Sequence, residues 1–277
     1  MIINHVNRFI FVHICKTGGT TIKNIFRHRF GKDFNQIKKL ELDTYYGHVP
    51  LSEIENHVDL KSYNISCIVR NPWDLVVSKF FYHNSSMLKR KYNHADPKKF
   101  YNNLNIENPV ERVGISAPSI QWNERKDISK NTIRREFFKW ASESGEHINA
   151  HTRASLDGFK PRCSYNKVSK DRFSNLTLQY EHSIKNQVDF ISSASKKGSK
   201  ILANKIYRFE NFQTAIDKIV KSADHRSRNM KYQLKTRKNM STKPWWYTSY
   251  RDMYNDQCID LVYRFYKRDI EAFGYEY

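Results

Sequence analysis

The stretch FVHICKTGGTTIKNIF, Phe11 to Phe26, constrains the fold more than any other part of the chain. An apolar run stops at Lys-Thr-Gly-Gly-Thr-Thr, and a pattern with Ile22, Ile25, Phe26 and Phe30 close to helical spacing begins at once. The pattern predicts a strand over 8–14, a glycine turn and a helix. Gly18 and Gly19 let the backbone turn tightly and come close to a ligand. The N–H groups of Gly19, Thr20 and Thr21 would stand free at the positive end of the helix dipole. With the charge of Lys16 and the hydroxyls of the neighbouring threonines, this is an anion cradle.

A second apolar strand, 65–70, ends in Arg70. Asn71 as cap and Pro72 at the first helical position then start another helix. Its apolar stripe is Trp73, Val76, Val77, Phe80 and Phe81, at i, i+3, i+4, i+7 and i+8. Strand character returns at 204–208, a helix follows over 211–222, and the helix after Asp256 carries Cys258, Leu261, Val262 and Phe265. The polar, Asn- and Lys-rich middle, 84–175, reads as short helices at 117–125 and 132–143 between loops. Strand–helix alternation of this kind predicts one α/β domain over 1–277: a P-loop-like, three-layer fold with a parallel sheet of about four or five strands flanked by helices.

Charge narrows the partners. The chain has 48 Lys+Arg against 28 Asp+Glu, a net of +20 spread along its length, which suits an anionic partner. The four cysteines, Cys15, Cys67, Cys163 and Cys258, stand far apart, so no zinc site is expected and free thiols in a reducing compartment are. The apolar stretch near the start is too short for a secretory leader, and no run reaches the length of a membrane span. A cytoplasmic location is the expectation, with an excised lumenal domain as the alternative.

The order of residues in the cradle bears on its anion. The common phosphate loop of nucleotide triphosphatases carries its Lys after the glycines; here Lys16 precedes them. Those enzymes also place an Asp near a strand end to hold Mg²⁺. Here the strand ends in Arg70, whose planar fork suits phosphate. The site therefore reads as binding anionic oxygens directly, with no metal. Ser78, eight residues after Arg70, is near enough to donate to the same phosphate. Read from spacing alone, the lone His48 and the strand histidine His13 are structural.

These residues resemble those of a family. HICKTGGTTI is similar to the 5′-phosphosulfate loop of sulfotransferases that use 3′-phosphoadenosine 5′-phosphosulfate (PAPS), which in the carbohydrate branch commonly reads His-Ile-Pro-Lys-Thr-Gly-Gly-Thr. VRNPWDLVVSKFFY resembles the partner 3′-phosphate motif, Arg-x-Pro with a Ser eight residues after the Arg. YGHVP, 46–50, resembles the element that carries the base in heparan-sulfate 2-O-sulfotransferase-like enzymes. IYRFENF, 206–212, and the closing CIDLVYRFYKRDIEAFGY are similar to further family segments. Cys15 stands where the family commonly has Pro, and Tyr46 where some glycan enzymes have a second His.

The resemblance implies sulfuryl transfer from PAPS to an acceptor hydroxyl on a carbohydrate, neutral or acidic, leaving 3′-phosphoadenosine 5′-phosphate (PAP), with no metal and no nucleic-acid partner. It implies His48 and Lys16 as catalytic, and Lys16, Thr17, Gly18, Gly19, Thr20, Thr21, Arg70 and Ser78 as nucleotide-binding. It places the acceptor side in 84–175, and lets some of Lys235, Arg237, Lys238 and Lys243, in the basic loop 223–245, reach the nucleotide. Two other readings stand beside it. A small-molecule kinase asks for an acidic metal ligand and a Lys after the glycines. A nucleic-acid-binding protein asks only for the net positive charge.

Overall fold

A computed structural model describes residues 1–30, 48–83, 129–139, 141, 186–193, 200–223 and 243–277. The expected helix 117–125, nearly all of the acceptor-side region, Cys163, Tyr46 and the basic residues 235–238 lie outside these residues. Contacts divide the chain into two compact units: Met1–Pro72, Ser169–Asn239 and Tyr266–Glu276 in one, Trp73–Val168, Met240–Phe265 and Tyr277 in the other.

The first unit holds a four-stranded sheet in the order β1 (Ile2–Asn4), β2 (Phe9–Val12), β3 (Asn64–Val69), β4 (Lys205–Arg208). The β2–β3 and β3–β4 pairs are parallel, with Val12 beside Cys67 and Val69 beside Arg208. The all-parallel expectation needs correction at one edge: β1 pairs antiparallel to β2, Ile3 opposite Ile10. Only four residues, His5 to Arg8, separate the two strands, too few for a parallel crossover, so the chain turns back as a hairpin.

Alternation along β2 feeds two cores. Phe9 and Phe11 join Ile22, Ile25 and Phe26 of α1 (Gly19–Phe30) and Ile216, Ile219 and Val220 of α5 (Phe212–Ala223) on one face. Ile10 and Val12 join Ile65, Cys67, Val69, Val49, Leu51, Phe190, Ile191 and Tyr275 on the other. That second face is covered by the segment after His48, by the short α4 (Gln187–Phe190) and by the end of α7 (Lys267–Phe273). Helices on both faces of a mostly parallel sheet agree with the three-layer expectation.

The second unit is helical among the described residues: α2 (Pro72–His83, Pro72 itself counting with the first unit), α3 (130–139) and α6 (Asp256–Phe265). The α2 stripe is buried as expected, but so are Leu75, Ser78 and Lys79, so α2 is covered on more than one face. Aromatic edges hold this unit. Phe137 meets Phe80 at 5.3 Å and Tyr254 at 5.1 Å, and the Tyr254 hydroxyl donates to the Trp73 carbonyl. Lys243 lies over the Phe81 and Tyr247 rings at 3.9 and 4.9 Å, and Trp245 is exposed. Cys15, Cys67 and Cys258 are free thiols, and among the described residues no helix is long and apolar enough to cross a membrane.

Candidate active site

The parallel strands β2 and β3 end side by side, and the residues that follow them meet. After Val12 the chain passes His13, Ile14 and Cys15 and turns at Lys16, which takes a left-handed backbone (φ 64°). For a residue with a side chain that conformation costs about 1–2 kcal/mol, so the surroundings must hold it. They do: Nη1 of Arg70, the residue after β3, donates to the Lys16 carbonyl at 2.9 Å.

Both glycines are required by close approach. Gly18 is left-handed (φ 82°), and a β-carbon on it would run into the Phe212 ring. A β-carbon on Gly19 would overlap the His13 ring, which packs flat against the helix start. Phe209, from the turn after β4, underlies both halves of the site: it lies beneath Gly18, and the Arg70 guanidinium stacks on it with 4.2 Å from carbon to ring centre. IYRFENF thus supplies the floor of the cradle through Phe209 and Phe212.

The donors of the first helical turn are fewer than expected. The Thr21 N–H donates back to the Gly18 carbonyl at 3.0 Å, which leaves the Gly19 and Thr20 N–H groups uncommitted among the described residues. Thr17 is wholly buried, and its hydroxyl donates to the Ile14 carbonyl at 2.9 Å, so that side chain ties the loop. Thr20 is exposed.

Lys16 sits in a poor environment for a cation. Burial pushes its ammonium down to about 8; Cys15 pulls the other way, and the Arg70 charge adds a lesser push down. An anion beside the Lys16 ammonium and the Arg70 guanidinium would offset the cost of holding both charges at this turn. The start of α1, with its N–H groups and helix dipole, follows directly in the chain.

His48 reaches the site from the other side. Val49 and Leu51 are buried in the second core and anchor the segment, and His48 Nδ1 lies 2.8 Å from the His13 carbonyl oxygen. A carbonyl only accepts, so Nδ1 carries a proton, and in the neutral form of the ring the lone pair is on Nε2. The two imidazoles lie 4.2 Å apart. His13 is held well below the ordinary histidine range, first by burial and then by the charges of His48 and the nearby amines, so it stays neutral.

Arg70 and Asn71 are held at the backbone as well. Gln187 accepts from the Arg70 N–H and donates to the Arg70 carbonyl, both at 2.8 Å. Glu210 accepts from the Asn71 N–H at 2.7 Å and from the Tyr275 hydroxyl. Lys16, Gly18, Gly19, Thr20, Arg70 and His48 are therefore gathered at the ends of β2 and β3. Ser78 is buried on α2, in the second unit. The reading of the sequence missed Gln187, Glu210 and Asp269. The Asn186–Asp189 spacing, with Asp189 accepting from the Asn186 N–H at the start of α4, was the available signal for the first of them.

One family model, described as "Sulfotransferase family", matches residues 1–276. No curated protein and no solved structure matches the chain.

Proposed function

The chain belongs to the sulfotransferase family, whose members transfer sulfuryl groups, and on that premise we propose that it carries a sulfuryl group from PAPS to a carbohydrate hydroxyl. The observation that carries this reading is the junction of Lys16 and Arg70 beside a helix start with two N–H groups uncommitted among the described residues, in a loop where close approach requires Gly18 and Gly19. Such a cradle suits the two phosphate ends of a 3′-phosphorylated nucleotide. PAPS supplies an activated sulfuryl group on a phosphate leaving group.

The chain's residues divide the work. The N–H groups of Gly19 and Thr20 and the loop from Thr17 to Thr21 hold the 5′ end. Arg70, with Ser78, holds the 3′-phosphate. Lys16 faces the bridging oxygen and meets the negative charge that grows on the leaving phosphate, an effect that acts on the transition state more than on binding. His48 takes the acceptor proton at Nε2 as the hydroxyl oxygen bonds to sulfur and the sulfur–phosphate oxygen bond breaks. The hydrogen bond to the His13 carbonyl fixes the tautomer that this step needs. Residues 1–277 act as one sulfotransferase domain in this reading, with 84–175 on the acceptor side.

Turnover tests it. The protein, given PAPS and a panel of neutral and acidic oligosaccharides, should release PAP only when an acceptor hydroxyl is present. Phosphate transfer from ATP with Mg²⁺, and none of sulfuryl from PAPS, would replace this reading with a kinase.

A further inference from the structure

Arg70 stands one residue beyond the end of β3, where the sheet no longer supplies a partner for its backbone. The Gln187 side chain takes over, using one end of its amide on the Arg70 N–H and the other on the Arg70 carbonyl. Gln187 is itself buried and is held from behind. Asp269, wholly buried on α7, accepts from the Gln187 N–H at 2.8 Å, the Val188 N–H at 2.8 Å and the Gln187 side-chain amide at 3.2 Å. A second tie, Arg268 to Asp189 at 2.6 Å, joins the same two helices.

A carboxylate that is fully buried is costly unless its lone pairs are met. Here α4 meets them with two backbone N–H groups and an amide, and the last of these orients the Gln187 fork toward Arg70. The Arg268–Asp189 pair already joins α7 to α4 at the surface. The Asp269 arrangement instead passes through Gln187 to the backbone of one residue, whose guanidinium both stacks on Phe209 and holds the Lys16 carbonyl. We propose that Asp269 and Gln187 are positioning residues: they fix the Arg70 backbone, and through it the recognition of the 3′-phosphate. The inference rests on the reading of Arg70 as the ligand of that phosphate. It gives the Asp of the closing Asp-Ile-x-x-Phe-Gly-Tyr segment a task at the site.

Gln187→Met keeps length and apolar volume and removes both bonds to Arg70. Hydrogen exchange should then speed up at the Arg70 amide while Ile65 to Val69 keep their protection. By calorimetry, affinity for PAP should fall by about ten-fold or more while AMP changes little. The double variant Gln187→Met with Arg70→Ala should bind PAP no worse than Arg70→Ala alone, since both remove one interaction. Additive losses, or faster exchange throughout β3, would overturn the proposal and leave Gln187 a packing residue. The wild-type protein offers a measure that needs no variant: its Arg70 amide should exchange as slowly as that of Val69, and a fast one would refute the relay. A wild-type protein that binds PAP and AMP alike would instead refute the role of Arg70, and the exchange pattern would still decide what Gln187 holds.

Discussion

At the scale of single residues, the proposed chemistry falls on two side chains. His48 owes its tautomer to one backbone carbonyl, so His48→Ala should fold and bind PAP normally but lose roughly 10²–10⁴-fold in kcat. Steady-state rates beside calorimetric affinities check this, and near-normal turnover on the true acceptor would rule His48 out as the base. Lys16 makes a second prediction through its titration. Its ammonium is already pushed down to about 8 in the free protein, and a bound polyanion must pull it back up. Binding then takes up a proton above that pH. PAP affinity should hold steady up to about neutrality and weaken as pH rises through 8, at most about ten-fold per unit. Lys16→Ala should flatten that limb and lower kcat by about 10²-fold, as loss of one electrostatic donor does.

At the scale of elements, the strand–loop–helix units were legible because their signals are local. Apolar runs, glycines, an Asn-Pro helix start and a helical stripe lie within a few residues of one another, and β2, β3, β4, α1, α2 and α5 follow them. β1 was not legible: three residues are too few for alternation to register, and only β2 makes Ile2–Asn4 a strand. The cradle was legible in its residue types but not in its commitments. That Thr17 is spent on the Ile14 carbonyl follows from the backbone turn rather than from residue type, and that Phe209 and Phe212 form the floor depends on a segment nearly two hundred residues away in the chain. Phe209 makes this testable. Phe209→Leu keeps an apolar floor but removes the ring beneath Arg70, a contact worth about 1 kcal/mol. PAP binding should weaken roughly five-fold, with the circular dichroism spectrum unchanged. An unaltered affinity would show that the stacking does not order Arg70.

At the scale of the whole molecule, stability and ligand binding are read in one unfolding transition. His13 is packed against Gly19 and held neutral, while in the unfolded chain it protonates near its ordinary value of 6.5. The unfolded state therefore binds more protons as the solution turns acid, so the share of stability present above about pH 6.5 is lost as pH falls. The melting temperature should drop between pH 7 and pH 5, and His13→Gln should reduce that slope. A slope unaltered in the variant would assign the acid sensitivity to other groups. The same transition tests the central claim, that the junction of Lys16 and Arg70 is built for a nucleotide with a 3′-phosphate. A ligand at about 100 times its Kd adds roughly 2.7 kcal/mol to the folded state, worth several degrees in a chain of this size. PAP at saturation should raise the melting temperature by that amount, and AMP at the same concentration should raise it far less. Equal shifts from PAP and AMP, or no shift from PAP, would contradict the account.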